Sequence, residues 1–214
     1  MRITVLLADD HAIIREGLRA RLAMETSIEV VGEAATGLEV LDKTAALAPD
    51  VVVMDIGMPE LNGIEATAIL TERQLKSRVV ILSVHSTSEH IFRAFRAGAF
   101  GYVLKESAGR ELMAAIRAAH RSKRYMSSKI QDEMPEIATD LQQTASPLER
   151  LSIREKMVLQ MVMEGGTSSE IAQKLDLSPK TVETYRSRIM QKLEIRDLPS
   201  LVKFAIQHGL ASLK

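Results

Sequence analysis

The sequence predicts an α/β domain with a doubly wound parallel sheet of the (βα)5 type, followed by a small all-α domain. Short apolar runs alternate with helical patterns over the first 120 residues, and a polar segment then interrupts the alternation. From residue 151 onward only helical patterns remain. The length of 214 residues suits one medium and one small domain, at about 100–200 residues per domain.

Five apolar runs predict the strands of the first domain. They are rich in Val, Ile and Leu at consecutive positions, which is typical of strands that are buried on both faces. Helical patterns separate the runs, so the strands are expected to be parallel and covered by helices on both sides. The predicted strands are residues 3–8, 28–34, 50–55, 78–83 and 101–104.

Capping motifs mark the helices of the second domain. Ser152 with Glu155, and Thr167 with Glu170, each match a capping box, and Ser178–Pro179 offers an N-cap followed by a proline at the first helical position. The predicted helices are residues 152–164, 168–175, 179–193 and 198–208.

The predicted domains are residues 1–121 and 148–214, with a linker at 122–147. The linker is polar, and we expect it either to be helical near its start or to extend the last helix of the first domain.

Composition excludes several classes of protein. No apolar run approaches the ~18–20 residues that cross a bilayer, so no membrane association is expected. The first residues do not form a secretory signal, because their apolar stretch is short and ends in two aspartates. Cysteine is absent, which excludes disulfides and thiolate metal sites and allows a reducing compartment. We expect a cytoplasmic protein.

Polar side chains follow four of the predicted strands. Asp9 and Asp10 come after the first strand, Asp55 ends the third, Ser83 ends the fourth and Lys105 follows the fifth. The first and third strands are expected to be neighbours, so three carboxylates converge in a small volume that suits Mg²⁺. The hydroxyl and the ammonium could hold a phosphoryl group, with Asp55 as its nucleophile. Each residue alone has a simpler explanation, as a helix cap or a surface lysine. Chance does not readily explain why all five residues lie at strand ends on the same edge of the sheet.

These residues, together with Tyr102 and the stretch DIGMPELNG at 55–63, resemble the receiver domain of bacterial two-component response regulators over about residues 2–121. The resemblance implies that a sensor histidine kinase phosphorylates Asp55. It also implies that Asp10, Asp55 and the carbonyl of Gly57 hold Mg²⁺, with Asp9 acting through water. Ser83 and Lys105 would hold the phosphate, and Tyr102 would be an aromatic side chain that swings inward when Ser83 moves.

The predicted helix 179–193 has one apolar and one polar face. Val182, Ile189 and Leu193 form an apolar stripe, and the opposite face carries polar side chains. Residues 180–196 hold five basic side chains against two acidic ones. The capped helix before it and the tight turn at 177–179 make a helix-turn-helix, whose second helix can enter the DNA major groove.

Residues 151–195 resemble the LuxR-type DNA-binding domain, so the whole chain is similar to response regulators of the NarL/FixJ type. The resemblance implies that this helix reads double-stranded DNA. Base-edge contacts are assigned to Glu183, Thr184 and Ser187, and mainly phosphate contacts to Lys180, Thr181, Tyr185, Arg188 and Lys192. A homodimer is expected in the active state, and RNA polymerase is a further possible partner.

The leading hypothesis is therefore a transcription regulator, and not an enzyme, whose dimerisation and DNA binding depend on phosphorylation. A phosphotransferase or phosphatase is the second hypothesis, but DxDxT, Walker A and GxGxxG motifs are all absent. A third hypothesis is a DNA-binding regulator that never uses phosphate, with the first domain as a dimerisation module.

Overall fold

The computed structural model describes residues 2–133, 147–195 and 197–207. The chain divides into two compact units, Met1–Gln143 and Thr144–Lys214.

The first unit is built on a six-stranded parallel sheet with the strand order β2-β1-β3-β4-β5-β6. The five predicted strands are all confirmed, and so is the predicted fold class. The strands are Ile3–Ala8 (β1), Ile28–Ala34 (β2), Val51–Asp55 (β3), Arg78–Ser83 (β4), Gly101–Leu104 (β5) and Tyr125–Met126 (β6).

Helices cover both faces of the sheet. On one face, Leu22 of the first helix and Leu112 and Ile116 of the fifth pack against Val5 and Val53 of the central strands. The intervening helices lie on the other face, since parallel crossovers are right-handed. The five helices are Ala12–Ala23 (α1), Gly37–Leu47 (α2), Gly63–Glu72 (α3), Ser88–Arg96 (α4) and Ala108–His120 (α5).

The start of the predicted linker belongs to this fold. β6 pairs with β5, with Tyr102 opposite Met126, and a short helix follows at Ser128–Glu133 (α6). The polar composition of the linker had predicted instead a helix at its start or a longer α5, but α5 ends at His120. A two-residue strand among polar residues shows no periodicity, so the pattern could not reveal it. Residues 134–146 of the predicted linker lie outside the described residues.

The second unit is helical, as predicted. A 3₁₀ turn at Pro147–Arg150 precedes the helices Ile153–Met163 (α7), Ser168–Leu175 (α8), Pro179–Leu193 (α9) and Leu198–Gln207 (α10). Both predicted capping boxes are present, and Ser178 caps α9 through the amide of Thr181. Arg196 and the end of the predicted last helix, residue 208, lie outside the described residues.

None of the helices in the described ranges is long and apolar enough to cross a membrane.

Candidate functional sites: an acidic pocket and a basic helix

Strand register brings the predicted site residues of the first unit to one edge of the sheet. Ala8 of β1 is opposite Met54 of β3, so Asp9 and Asp55 emerge side by side. Ser83 of β4 is opposite Leu104 of β5, so Lys105 follows at the same edge. The predicted site residues therefore lie together because the parallel strands that carry them end at the same edge of the sheet.

Lys105 links two of the carboxylates in this pocket. Its Nζ lies 2.8 Å from Asp9 Oδ2 and 2.9 Å from Asp55 Oδ2. Oxygens of Asp9, Asp10 and Asp55 and Nδ1 of His11 all lie within 4.8 Å of one another. Three carboxylates face one ammonium, which leaves a buried excess of negative charge. That excess and the oxygen ligands fit a divalent cation such as Mg²⁺.

Burial and charge shift the pKa values of the two central groups. Burial raises the pKa of the Asp55 carboxyl, while the Lys105 ammonium acts to lower it and the Asp9 carboxylate adds to the rise. Burial alone would lower the pKa of Lys105, but the carboxylates of Asp55 and Asp9 raise it overall. Lys105 therefore stays charged, which suits a group that must hold anionic oxygens.

Two glycines of the DIGMPELNG stretch shape the surroundings of Asp55. Gly57 is exposed, and a Cβ there would lie 3.6 Å from Asp55 Oδ2, so a larger side chain would stand beside the carboxylate. A Cβ at Gly63 would lie 2.1 Å from the Asp55 carbonyl oxygen. Only glycine lets the start of α3 pack directly against the backbone of the residue that carries the carboxylate.

Ser83 and Tyr102 both contact His85 in the loop between β4 and α4. The hydroxyl of Ser83 accepts a hydrogen bond from the His85 amide at 3.1 Å, so it does not cap α4, whose N-cap is Thr87. The phenol of Tyr102 donates to the His85 carbonyl at 2.8 Å. Both side chains are fully buried, and burial raises the pKa of Tyr102, which keeps the phenol a neutral donor. Ser83 and Tyr102 therefore both bind the backbone of the same loop residue.

Two residues of this pocket were not among the predicted site residues. His11 lies with Nδ1 2.7 Å from Asp10 Oδ1, and its position directly after the acidic pair was a usable signal. Arg15 donates from Nη1 to the Asp9 carbonyl at 2.6 Å, one helical turn beyond His11. His85, two residues past Ser83, takes part through its backbone amide and carbonyl.

In the second unit, α9 buries Val182 and Ile189 and exposes the opposite face, as predicted. Five of the eight residues assigned to DNA line one shallow surface depression together with Ser178. They are Lys180, Thr181, Thr184, Tyr185 and Arg188. This surface is accessible and carries two cations, as a phosphate-binding surface requires.

The other three assigned residues lie elsewhere. Ser187 is exposed outside the depression. Glu183 accepts a hydrogen bond from Ser168 of α8 and lies 3.5 Å from Nη1 of Arg186. Lys192 binds Glu155 of α7, with Nζ 2.7 Å from Oε2.

The Glu155–Lys192 contact joins α7 to α9. Burial acts to raise the pKa of Glu155, but hydrogen bonds from Lys192 and Ser152 lower it overall, so the carboxylate is ionised. The phosphate contact of Lys192 stays a prediction, and the structure gives its ammonium an internal partner.

Known families match both units. Residues 5–117 match the family described as response regulator receiver domain, and residues 149–205 match bacterial regulatory proteins of the luxR family. The chain is 38% identical over 210 residues to the response regulator UvrY of Escherichia coli K12, covering 98% of this chain and 96% of UvrY. It is 34% identical to the oxygen regulatory protein NreC of Staphylococcus carnosus, covering 96% of this chain and 98% of NreC.

A solved structure of the response regulator RcsB from Salmonella typhimurium, studied for its DNA interaction, is also similar. It is 25% identical with a TM-score of 0.65 and covers 97% of this chain and 98% of that one. Since relatives match along nearly the full length and each unit matches its own family, the second hypothesis of an enzyme is set aside. The chain belongs to the response regulators of the NarL/FixJ type, with a receiver domain and a LuxR-type DNA-binding domain.

Proposed function

We propose that a sensor histidine kinase phosphorylates Asp55 and that this phosphorylation controls dimerisation and the binding of α9 to specific double-stranded DNA. The observation that carries the proposal is the position of Lys105, whose ammonium lies within 2.9 Å of both Asp9 and Asp55 in a pocket with excess negative charge. A lysine in that position can donate hydrogen bonds to the oxygens of a phosphoryl group that is bound to Asp55.

We propose Mg²⁺ as the ion of this pocket. Asp10, Asp55 and the carbonyl of Gly57 would hold it, with Asp9 acting through water. When bound, the ion would neutralise the charge on the phosphoryl oxygens during transfer. The donor set supports this choice, because Mg²⁺ prefers carboxylate and carbonyl oxygens and keeps several waters.

In the proposed step, a carboxylate oxygen of Asp55 attacks the phosphorus of a phosphohistidine on the kinase. The P–O bond to Asp55 forms while the P–N bond breaks, and the leaving imidazole takes up a proton. Lys105 and Ser83 bind oxygens of the transferred group by hydrogen bonds. Because the Ser83 hydroxyl already accepts from the His85 amide, its turn toward a phosphate would release that bond and disturb the contact of Tyr102 with His85.

We propose that DNA binds the surface of α9 that is lined by Lys180, Thr181, Thr184, Tyr185 and Arg188. Charge and accessibility support this assignment, and Glu183 and Ser187 stand beside it on the exposed side of the helix. The homodimer, the contact with RNA polymerase and the cytoplasmic location stay predictions of the same proposal.

The test is labelling of the full chain by radioactive acetyl phosphate with Mg²⁺. Wild type should label, Asp55→Asn should not, and Asp42→Asn, which changes an exposed carboxylate on α2, should label like wild type. Labelling of the Asp55→Asn variant would show that the nucleophile is another residue. DNA fragments selected from a random pool with and without the phosphodonor then test the switch. Equal affinity in both conditions would support the phosphorylation-independent regulator instead.

A further inference from the structure

A short segment after α5 is hydrogen-bonded to the receiver next to Tyr102 and Lys105. This segment, Tyr125–Ile130, is called the strap below, and it consists of β6, Ser127 and the start of α6. The Tyr125 amide donates to the Phe100 carbonyl at 2.8 Å, and the Ser127 amide donates to the Tyr102 carbonyl at 2.9 Å. Ser127 and Ile130 are almost completely buried, so the strap is part of the packed domain.

Glu111 of α5 holds the strap through hydrogen bonds to two serine side chains. One carboxylate oxygen accepts a hydrogen bond from the Ser127 hydroxyl, and the other accepts from the Ser128 hydroxyl at 2.6 Å. Burial acts to raise the pKa of Glu111, but these hydrogen bonds lower it overall, so the acceptor is ionised. Hydrogen bonds to a charged acceptor are stronger than neutral ones, so this carboxylate holds the turn after β6 firmly to α5.

The strap touches the phosphorylation site at two neighbouring points. One is the backbone of Tyr102, whose phenol donates a hydrogen bond to the His85 carbonyl in the loop after Ser83. The other is Glu106, the residue after Lys105, whose carboxylate lies 2.8 Å from Lys129 Nζ. The Tyr102 carbonyl and the Glu106 carboxylate are therefore acceptors that hold the strap beside the phosphorylation site. The chain that leaves the strap continues into the DNA-binding domain.

We propose that phosphorylation of Asp55 loosens the strap and that Glu111 is the positioning residue that holds it in the unphosphorylated state. The inference rests on the proposed function, because it names the element through which the Asp55 site reaches the connection between the domains. The strap then has two states, bound to β5 and Glu111 or released from them, which is the two-state element that a switch requires.

Hydrogen exchange of the full chain tests this role of Glu111 without any phosphodonor. In Glu111→Ala, the amides of Tyr125 and Ser127 should exchange about tenfold faster than in wild type, because local opening no longer breaks the hydrogen bonds to the carboxylate. Glu111→Gln keeps one acceptor oxygen and should give an intermediate rate. Arg117 is on α5 like Glu111, but its ion pair is with Glu25, which follows α1, so Arg117→Ala should leave the strap unchanged. Unchanged exchange in Glu111→Ala would overturn the proposal, provided that amides of β1 and β3 show an intact sheet.

The phosphodonor arm tests the coupling. In wild type, beryllofluoride with Mg²⁺ should speed exchange of the same two amides about fivefold or more, and Glu111→Ala should bind the selected DNA about tenfold more tightly than wild type without the phosphodonor. Labelling of Asp55 by acetyl phosphate should stay within about twofold of wild type, since Glu111 does not touch the pocket. Slower or equal exchange on adding beryllofluoride, or unchanged DNA affinity of the variant, would overturn the proposal. Failure of wild type to label at all would instead overturn the proposed function.

Discussion

The two domains use charged side chains in opposite ways. In the receiver, Asp9 and Asp55 are buried, and the half-buried Lys105 contacts both carboxylates. In the DNA-binding domain, the cations proposed to meet the ligand, Lys180 and Arg188, are exposed. The buried charge of that domain, Glu155, instead joins two helices.

This difference follows from the chemistry that each site performs. In a site with little water, fixed charges interact strongly with a reacting carboxylate and with the charge that develops during the reaction. A surface that reads DNA meets a polyanion with its own counterions, so its cations must stay accessible until binding. Changes in the receiver pocket should therefore affect stability and chemistry together, whereas changes to the exposed cations Lys180 and Arg188 of α9 should affect binding alone.

The largest expected effect is that of Lys105→Met. Removing one partner from a buried ion pair costs about 3–5 kcal/mol, and we expect about 3 kcal/mol for the receiver because Lys105 retains some exposure. Labelling of Asp55 should fail as well. Added Mg²⁺ should restore part of the lost stability by binding the uncompensated carboxylates. Urea unfolding of the full chain, followed by circular dichroism with and without Mg²⁺, measures both effects.

Lys43→Met is the matched control for this prediction. Lys43 Nζ lies 2.7 Å from Glu39 Oε2, a similar distance, but both side chains are more than 40% exposed. Exposed ion pairs contribute about 0.2–1 kcal/mol to stability. The free energy of unfolding of Lys43→Met should therefore fall by less than about 1 kcal/mol, and Asp55 should be labelled normally. Equal losses in the two variants would contradict the contrast between buried and exposed charge.

The second prediction concerns Glu155→Ala in α7. The substitution removes a capping box and the ion pair to Lys192, so we expect a loss of about 2 kcal/mol from the DNA-binding domain. Glu170→Ala removes a capping box at an exposed site, and Glu170 has no ion pair to a second helix in the described part of the chain, so the substitution should cost less than Glu155→Ala. Thermal unfolding of the full chain by calorimetry compares the two. A larger loss in Glu170→Ala would show that the contact between α7 and α9 contributes little.

The sequence predicts the features that depend on local pattern or on strand order. The capping boxes at Ser152 and Thr167 are readable because their residues lie three positions apart, and the acidic pocket is readable because parallel strands end at one edge. By contrast, the strand Tyr125–Met126 is stabilised by pairing with β5, and its two residues carry no period. Contacts between distant residues, such as Glu155 with Lys192, depend on helix packing that no pattern specifies.

The third prediction separates recognition from packing on α9. Arg188→Ala should weaken DNA binding and reduce the slope of log K against log salt by about 0.9, the value for one lost phosphate contact. Lys192→Ala should reduce the slope by less than Arg188→Ala, because its ammonium is shared with Glu155, and should also lower the stability of the domain. Fluorescence anisotropy at several salt concentrations gives the slopes. An equal fall in both slopes would establish Lys192 as a phosphate contact.

The smallest expected effect is a pH dependence from Glu155. Its pKa in the folded protein lies below the ordinary value of 4.5, so the carboxylate stabilises the fold above that pH. This stabilisation is lost as the pH falls through the lower, folded pKa, where the carboxyl takes up a proton and its hydrogen bonds from Lys192 and Ser152 weaken. The difference in melting temperature between wild type and Glu155→Gln should therefore be constant near neutral pH and shrink below about pH 4.5. Glu170 and Asp197, whose pKa values are also lowered, are present in both proteins and cancel in the difference. A difference that stays constant down to pH 3 would show that Glu155 acts through packing and not through its charge.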